Sequence, residues 1–261
     1  MRVLLTNDDG FQSEGLLTAY QALRSAGHQV TVCAPDRERS AQSQTVTLRT
    51  PIEVKPIILP DGALGYATSG TPADCARLGF TVLANEPVDL VISGVNTDTN
   101  LGYDVNYSGT VAAALEAAGA GYPAIAVSIA RSTHYDWLGA GAILLDVIDN
   151  LADWSIPFGV TLNLNIPSQP KTREPIWARV HSQPAPDYYQ KQLRPDGTAL
   201  YTRLRGDDLR LTLEEPDSDV ALSKAGYVTI SPLWPVGAHL ETLDRLLIKG
   251  GSDLNHVKKP F

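Results

Sequence analysis

The chain has 261 residues, of which 21 are basic, 29 are acidic and two are cysteines, and its formal net charge is -8. This length fits one large domain with an appendage and a sizeable core. The negative charge excludes a nucleic-acid polymer as the main partner, because binding to its backbone requires basic surface. One cysteine pair is not a disulfide framework, and neither a leader nor an apolar run of membrane-spanning length is present. We therefore expect a soluble, cytoplasmic protein that does not bind membranes.

Apolar runs typical of strands alternate with segments typical of helices as far as Pro167. Several of these strands are continuous Val, Ile and Leu runs, as expected when helices cover both faces of a sheet. The pattern predicts a doubly wound, mostly parallel α/β core over residues 1–170. In chain order, the predicted strands span 3–6, 30–33, 88–93, 124–129 and 160–166, and the predicted helices span 13–26, 71–84, 108–118 and 137–151.

The composition changes after Pro167, where prolines become frequent and the turn Pro195-Asp196-Gly197 occurs. Residues 201–213 and 227–230 are predicted strands, and a short helix is predicted near 238–247. We interpret 171–261 as an extended hairpin arm, a returning strand and a short helix that pack on the core and mediate oligomerisation. The alternative is a floppy insertion without a binding role.

Two adjacent carboxylates, Asp8 and Asp9, follow the first predicted strand. In an open α/β sheet, ligands bind at the carboxyl ends of the strands. Neighbouring side chains on a strand point to opposite faces, so both acids can serve one site only if the backbone turns, which Gly10 permits. A surface hairpin is the alternative, since Asp-Gly is a strong hairpin signal. The next segment, however, is typical of a helix rather than a partner strand.

Further oxygen donors follow other predicted strands at the same edge of the sheet. Ser40 lies after the second strand, and Asn96 and Asn100 follow the strand at 88–93. Carboxylate, hydroxyl and amide oxygens suit Mg²⁺, Mn²⁺ or Ca²⁺, and the absence of nearby His or Cys argues against structural zinc. Taken singly, each asparagine is more typical of loop capping than of a ligand. Their convergence on one edge makes them candidate ligands.

Ser108, Gly109 and Thr110 begin the predicted Ala-rich helix at 108–118. Unpaired N–H groups and the positive end of the helix dipole at such an entry form a phosphate-binding arrangement. A plain Ser/Thr N-cap is the alternative. A metal beside this entry can polarise a phosphoryl oxygen and activate water, while an aspartate orients or deprotonates the nucleophile. The sequence therefore predicts hydrolysis of a phosphate ester.

Several motifs together resemble the SurE family, metal-dependent nucleotidases also called survival protein E. The resemblance covers nearly the whole chain. The motifs are Asn7-Asp8-Asp9-Gly10, Gly70-Thr71-Pro72-Ala73-Asp74-Cys75, Ser93-Gly94-Val95-Asn96 with Asn100-Leu101-Gly102, Tyr107-Ser108-Gly109-Thr110-Val111, Pro123-Ala124-Ile125-Ala126-Val127-Ser128 and Leu162-Asn163-Leu164-Asn165-Ile166-Pro167.

The resemblance implies a Rossmann-like fold with a C-terminal hairpin exchanged between subunits of a homodimer or homotetramer. It also implies hydrolysis of nucleoside 5′- and 3′-monophosphates, with some polyphosphate activity, dependent on one Mg²⁺ or Mn²⁺ per subunit. Asp8 or Asp9 is the implied general base, without a choice between them. By position, the implied metal ligands are Asp8, Asp9, Ser40 and Asn96, and the implied substrate contacts are Asn96, Asn100, Ser108, Gly109 and Thr110.

The chain departs from the family pattern at two positions. Asp98 and Ala41 stand where the family usually has glycine. An Asp98 side chain that faced the site would add negative charge, which strengthens metal binding and repels substrate phosphate. We expect Asp98 to point to solvent instead.

Three other functions compete with a metal-dependent hydrolase. Cys33, Arg39 and Ser40 have the spacing of a cysteine phosphatase, but Pro35 removes an amide donor from that loop and two acids lie within it. A serine hydrolase lacks its Gly-x-Ser-x-Gly motif here. A non-catalytic nucleotide-binding module remains the alternative, although neither a P-loop nor a complete dinucleotide fingerprint is present.

Overall fold

The computed structural model describes residues 1–154, 156–184, 186–205 and 215–234. The helices are α1 (Glu14–Ser25), α2 (Pro72–Leu78), α3 (Gly109–Gly119), α4 (Trp137–Trp154) and α5 (Asp219–Lys224). A π-helical turn (Gly79–Leu83) continues α2, and a 3₁₀ helix (Gly102–Asn106) precedes α3. The strands are β1 (Arg2–Thr6), β2 (Gln29–Pro35), β3 (Val54–Ile58), β4 (Leu64–Thr68), β5 (Leu90–Asn96), β6 (Ala124–Ile129), β7 (Thr161–Ile166), β8 (Ile176–Trp177), β9 (Asp187–Leu193), β10 (Ala199–Arg205) and β11 (Thr229–Leu233).

Nine of these strands form one sheet in the order β3-β4-β2-β1-β5-β6-β7-β11-β8. The six central strands, from β4 to β7, are parallel. At the edges, β3 pairs antiparallel with β4, β11 pairs antiparallel with β7, and β8 pairs parallel with β11. From β1 the chain moves outward to β2 on one side, and from β5 it moves outward through β6 to β7 on the other. The carboxyl ends of β1 and β5 therefore flank the topological switch point, where such sheets bind ligands. The predicted doubly wound α/β fold is confirmed.

Helices cover both faces of the sheet, which explains the continuous apolar strands. On one face, α1 and α4 contribute buried residues such as Leu16 and Leu144 to the larger hydrophobic cluster. On the other face, α2 and α3 contribute Cys75, Val111 and Ala114 to the smaller cluster. No helix among the described ranges is both long and apolar enough to cross a membrane.

The sequence prediction missed β3, β4, β8 and α5. The strands β3 and β8 expose most of their residues, and Pro56 interrupts the pattern of β3, so neither carries the apolar run that marked the central strands. The predicted strand at 227–230 is β11, which pairs with β7. The predicted strand at 201–213 corresponds to β10, whereas 206–214 and the predicted helix at 238–247 lie outside the described residues.

The predicted hairpin is present as β9 and β10, paired antiparallel around Pro195-Asp196-Gly197. Within the described part of the chain, these two strands pair only with each other. Large apolar side chains of the hairpin are exposed to solvent, as Leu193 and Tyr201 illustrate at 64 % and 61 %. In contrast, β8 and β11 join the main sheet, so the C-terminal segment contributes directly to the core architecture.

Candidate functional site

A pocket of about 420 Å³ opens at the carboxyl ends of β1 and β5. The structure brings most of the predicted site residues to its wall, although they come from four separate segments of the chain. Gly109 and Thr110 lie immediately behind the wall, at the start of α3. The predicted residues that line the pocket are Asp8, Asp9, Ser40, Asn96, Asn100 and Ser108.

Hydrogen bonds of the Asn7 side chain stabilise the turn after β1. Asn7 was assigned no role in the sequence analysis. Its side-chain Nδ2 donates to Gly10 O at 2.9 Å and to Ser13 Oγ at 2.7 Å, while Gly10 N donates to Asn7 Oδ1 at 3.2 Å. Gly10 has φ of +99°, a conformation that L side chains rarely adopt. The backbone therefore leaves the strand direction at this point, and both Asp8 and Asp9 line the pocket.

Asp8 forms the buried floor of the pocket, with only 4 % of its surface exposed. Thr110 Oγ1 donates a short hydrogen bond to Asp8 Oδ1. Burial raises the pKa of Asp8, while hydrogen bonds from the Thr110 side chain and from the Gly109 and Thr110 amides oppose that rise. The first amides of α3 thus face the carboxylate of Asp8. Gly109 and Thr110 therefore lie against Asp8 in this structure. The phosphate contacts of Ser108, Gly109 and Thr110 stay predictions.

Asp9 carries a buried carboxylate oxygen, Oδ2, that has no hydrogen-bond partner among the described residues. Burial raises the pKa of Asp9 to about 7, and repulsion from Asp8 and Glu38 adds to the rise. A buried acceptor of this kind is costly unless a cation or donor satisfies it. The unsatisfied oxygen therefore fits a bound cation between the two acids and the opposite wall.

The opposite wall presents neutral oxygen donors. Asn96 Nδ2 donates to Asp98 O at 2.5 Å, which leaves Asn96 Oδ1 as the free acceptor of the amide. Ser40 Oγ donates to Glu38 Oε1 at 2.7 Å, so its lone pairs stay available. No three His, Cys, Asp or Glu side chains cluster as metal ligands in the described ranges. The donor set is thus two carboxylates with a hydroxyl and an amide, which suits a hard cation.

Asn100 is held by a network of buried hydrogen bonds. The partner residues occur in the sequence motifs, but they were assigned no role in the sequence analysis. Asn100 N donates to Asn165 Oδ1 and Asn100 Nδ2 donates to Ser128 Oγ, each at 2.8 Å. Asn163 and Asn165 both donate to Asn100 O, at 2.8 and 3.1 Å. Two buried asparagines in strand β7 were the available signal, because buried polar side chains require partners.

The loop that carries Ser40 is anchored to the floor and to the 3₁₀ helix. Arg39 N donates to Asp8 O at 2.7 Å, and Ser43 Oγ donates to Asn106 O at 2.6 Å. Ala41 and Ser43 have φ of 57° and 52°, the left-handed region that favours glycine. At position 41, the chain therefore holds alanine in the conformation for which the family's usual glycine is suited.

Asp98 is exposed to solvent, as expected, but it also stands at the edge of the pocket. Its side chain is 56 % exposed, yet it lines the pocket and Oδ2 lies 3.2 Å from Arg131 Nη2. The backbone at Asp98 does not have a positive φ, so the residue needs no glycine freedom here. Asp98 therefore places a charge at the pocket entrance.

The structure argues against Cys33 as a phosphatase nucleophile. Cys33 is fully buried and does not line the pocket. A hydrogen bond with Cys75 raises the pKa of the Cys33 thiol, and burial raises it further. A nucleophilic cysteine needs a lowered pKa and access to substrate. Cys33 is a core residue.

Three comparisons with known proteins agree on the family. A family model described as "Survival protein SurE" matches residues 3–185. The "5'-nucleotidase SurE" of Synechococcus sp. (strain JA-3-3Ab) is 40 % identical over 240 residues, covering 90 % of this chain and 92 % of that protein. The protein of the same name from Pelotomaculum thermopropionicum is 37 % identical over 262 residues, covering 99 % and 100 %. The crystal structure of the SurE protein from Aquifex aeolicus superposes with a TM-score of 0.79 at 28 % identity, covering 96 % of this chain and all of that one. The chain belongs to the SurE family.

Proposed function

We propose that the chain is a metal-dependent phosphomonoesterase that hydrolyses nucleoside 5′-monophosphates, and 3′-monophosphates as well, to nucleoside and phosphate. The relatives named above carry the name 5'-nucleotidase. The observation that carries the proposal is the buried Asp9 Oδ2 beside Asp8, which has no hydrogen-bond partner among residues 1–154, 156–184, 186–205 and 215–234 and lies on the wall of an open pocket at the switch point.

One Mg²⁺ or Mn²⁺ per subunit would be held by Asp8, Asp9, Ser40 and Asn96. When bound, such an ion polarises a phosphoryl oxygen and lowers the pKa of a water ligand. The oxygen-only donor set supports these hard cations over zinc, for which His and Cys ligands are typical.

Side chains of the pocket supply the general base and the contacts to phosphate. Asp8 accepts the hydrogen bond of Thr110 through Oδ1, whereas Asp9 Oδ2 has no partner in the described part of the chain. Asp9 is therefore the better placed of the two to accept a proton from attacking water. Ser108 and Asn100 line the phosphate side of the pocket. Asn100 keeps its position through the β6 and β7 side chains, so its amide is preorganised to contact a phosphoryl oxygen.

Phosphate release from AMP and GMP tests the proposal. We expect activity that stops on chelation and returns with Mg²⁺ or Mn²⁺. Alkylation of the thiols of native protein serves as the control, and it should leave the rate unchanged because Cys33 and Cys75 are both buried. Tight nucleotide binding without turnover, in any metal, would instead establish the nucleotide-binding module. A panel of 5′- and 3′-nucleotides in several metals would define the preferred base and position.

We also infer that the β9–β10 arm joins copies of the chain into a homodimer or homotetramer. A two-stranded hairpin is marginal by itself, and this one exposes apolar side chains that a second copy can cover. Replacing Leu193 and Tyr201 with serine should lower the mass measured by sedimentation to that of a smaller assembly. An unchanged mass would refute the role of the arm.

The free, buried cysteines support a reducing, cytoplasmic location.

A further inference from the structure

The entrance of the pocket carries both signs of charge. Asp8 and Asp9 lie at the floor, while three other acids and two arginines stand nearer the solvent. We use the name "mouth" for these five outer residues: Glu38, Asp98, Asp104, Arg131 and Arg203. The mouth therefore bears one more negative than positive charge.

We propose that Asp98 is a specificity-determining residue, which pairs with Arg131 and so disfavours substrates that carry phosphate groups beyond the one that is cleaved. This inference rests on the proposed phosphatase function. With the reacting phosphate at the floor, additional phosphates must lie at the mouth. Asp98 repels them directly, and it also neutralises an arginine that would otherwise attract them.

The side chain and the backbone of Asp98 have separate roles. Its carbonyl oxygen accepts the hydrogen bond from Asn96 Nδ2 at 2.5 Å, which orients a candidate metal ligand. Its carboxylate accepts a hydrogen bond from Thr99 N at 2.9 Å and pairs with Arg131. The amide in Asp98→Asn keeps the backbone acceptor and the side-chain size. This variant therefore removes the charge alone.

The ion pair between Asp98 and Arg131 is too exposed to contribute much to the stability of the fold. The side chains of Asp98 and Arg131 are 56 % and 78 % exposed, and ion pairs in that setting contribute little to folding. Two unit charges about 6 Å apart in water still change each other's binding by about threefold at low salt. Tripolyphosphate carries more negative charges than orthophosphate, so the effect of Asp98 on binding should be larger for tripolyphosphate.

The experiment measures binding of orthophosphate, pyrophosphate and tripolyphosphate by calorimetry at one free Mg²⁺ concentration, with AMP hydrolysis measured in parallel. Asp98→Asn should tighten tripolyphosphate relative to orthophosphate by about fivefold to tenfold, with pyrophosphate between them. Raising NaCl from about 0.05 M to about 0.5 M should remove most of this gain, because exposed charges are screened.

Asp146→Asn is the matched control. Asp146 pairs with Arg173 at 2.7 Å on the surface of α4, away from the pocket, so its replacement changes the net charge by the same amount. We expect it to leave the tripolyphosphate preference unchanged. Adding Arg131→Gln to Asp98→Asn should remove about half of the gain, because the released arginine is lost.

Three results would overturn the inference: an unchanged preference in Asp98→Asn, an equal shift in Asp146→Asn, or a shift that salt does not reduce. Failure of the proposed function looks different. In that case wild-type protein releases no phosphate from AMP in any metal, while the binding ratios of the two variants still decide the role of Asp98.

Discussion

The floor and the mouth of the pocket are built in different ways. The floor, formed by Asp8, Asp9, Gly109 and Thr110, is held by the turn after β1 and by the first residues of α3, and its contacts are buried. The residues of the mouth come mostly from loops and from the hairpin, and the pair between Asp98 and Arg131 is open to solvent. The candidate catalytic residues of the floor are therefore held by buried contacts. The charged residues of the mouth, which we propose select the substrate, are exposed and can be replaced with less effect on the fold.

This difference predicts unequal consequences of mutation. Buried polar contacts in a medium of low dielectric constant are strong and intolerant of change, whereas exposed charges are screened. Floor variants should lose catalysis by orders of magnitude. Mouth variants should shift preference by small factors.

Asp9→Asn is expected to cause the largest loss. The amide removes one charge of the candidate metal site and a candidate base, so kcat/KM should fall by at least about 10³-fold. The fold should survive, because Asp9 Oδ2 has no partner to lose within the described ranges and the substitution relieves repulsion from Asp8 and Glu38. We would measure Mn²⁺ binding by calorimetry and thermal unfolding in chelator. Near-normal activity, or Mn²⁺ affinity equal to that of wild type, would refute the assignment.

Gly109→Ala tests the close approach of α3 to the floor. A Cβ at this position would lie 2.7 Å from Asp8 Cβ and 2.8 Å from Asp8 Oδ2, so the carboxylate must move. We expect kcat/KM to fall about 10²-fold, since small displacements of catalytic groups are costly. The free energy of unfolding should fall by about 1–3 kcal/mol.

Gly65→Ala on β4 is the control for Gly109→Ala. Its added Cβ would meet only the side-chain tips of Ile57 and Leu59, at 3.2–3.3 Å. We expect wild-type kinetics and a small change in denaturation midpoint. If both alanine variants lose activity equally, the effect reflects general packing rather than the position of Asp8.

Thr110→Val removes the hydroxyl that donates to Asp8 Oδ1 and keeps the shape of the side chain. We expect a loss of about tenfold in kcat with a smaller change in KM, because Thr110 positions Asp8 and is itself fully buried. Thr110→Ser, which restores the donor, should recover most of the rate. A serine variant as slow as the valine variant would show that the methyl group, and not the hydrogen bond, matters.

The floor was the more predictable part of the site. An apolar strand ending in Asn7-Asp8-Asp9-Gly10 and a hydroxyl-rich helix entry are local signals, and the order of strands brings their ends together. Local signals did not show that the α3 amides face Asp8. That arrangement depends on the distance between β1 and α3, which only packing sets.

The mouth and its supports depend on contacts that are remote in sequence. Arg131 reaches Asp98 across 33 positions, and Asn165 reaches Asn100 across 65. Neither pairing has a local pattern, so the contact of Asp98 with Arg131 and the role of Asn165 were not predicted. Edge strands such as β3 were missed for a related reason, because they are half-exposed and lack a continuous apolar run.

Ala41→Gly is expected to have the smallest effect, and it tests whether strain in the Ser40 loop matters. Ala41 has φ of 57°, where an L side chain is disfavoured by about 1–2 kcal/mol. Glycine removes that penalty but gains more freedom in the unfolded chain, so we expect stability to rise by up to about 1 kcal/mol. Activity should stay within about twofold, because Arg39 N to Asp8 O and Ser43 Oγ to Asn106 O still anchor the loop on both sides of Ser40. Urea unfolding and kcat/KM for AMP measure the two effects. A large loss of activity without a loss of stability would mean that alanine fixes the geometry of Ser40, and the Ser40 loop would then belong with the rigid floor rather than with the variable mouth.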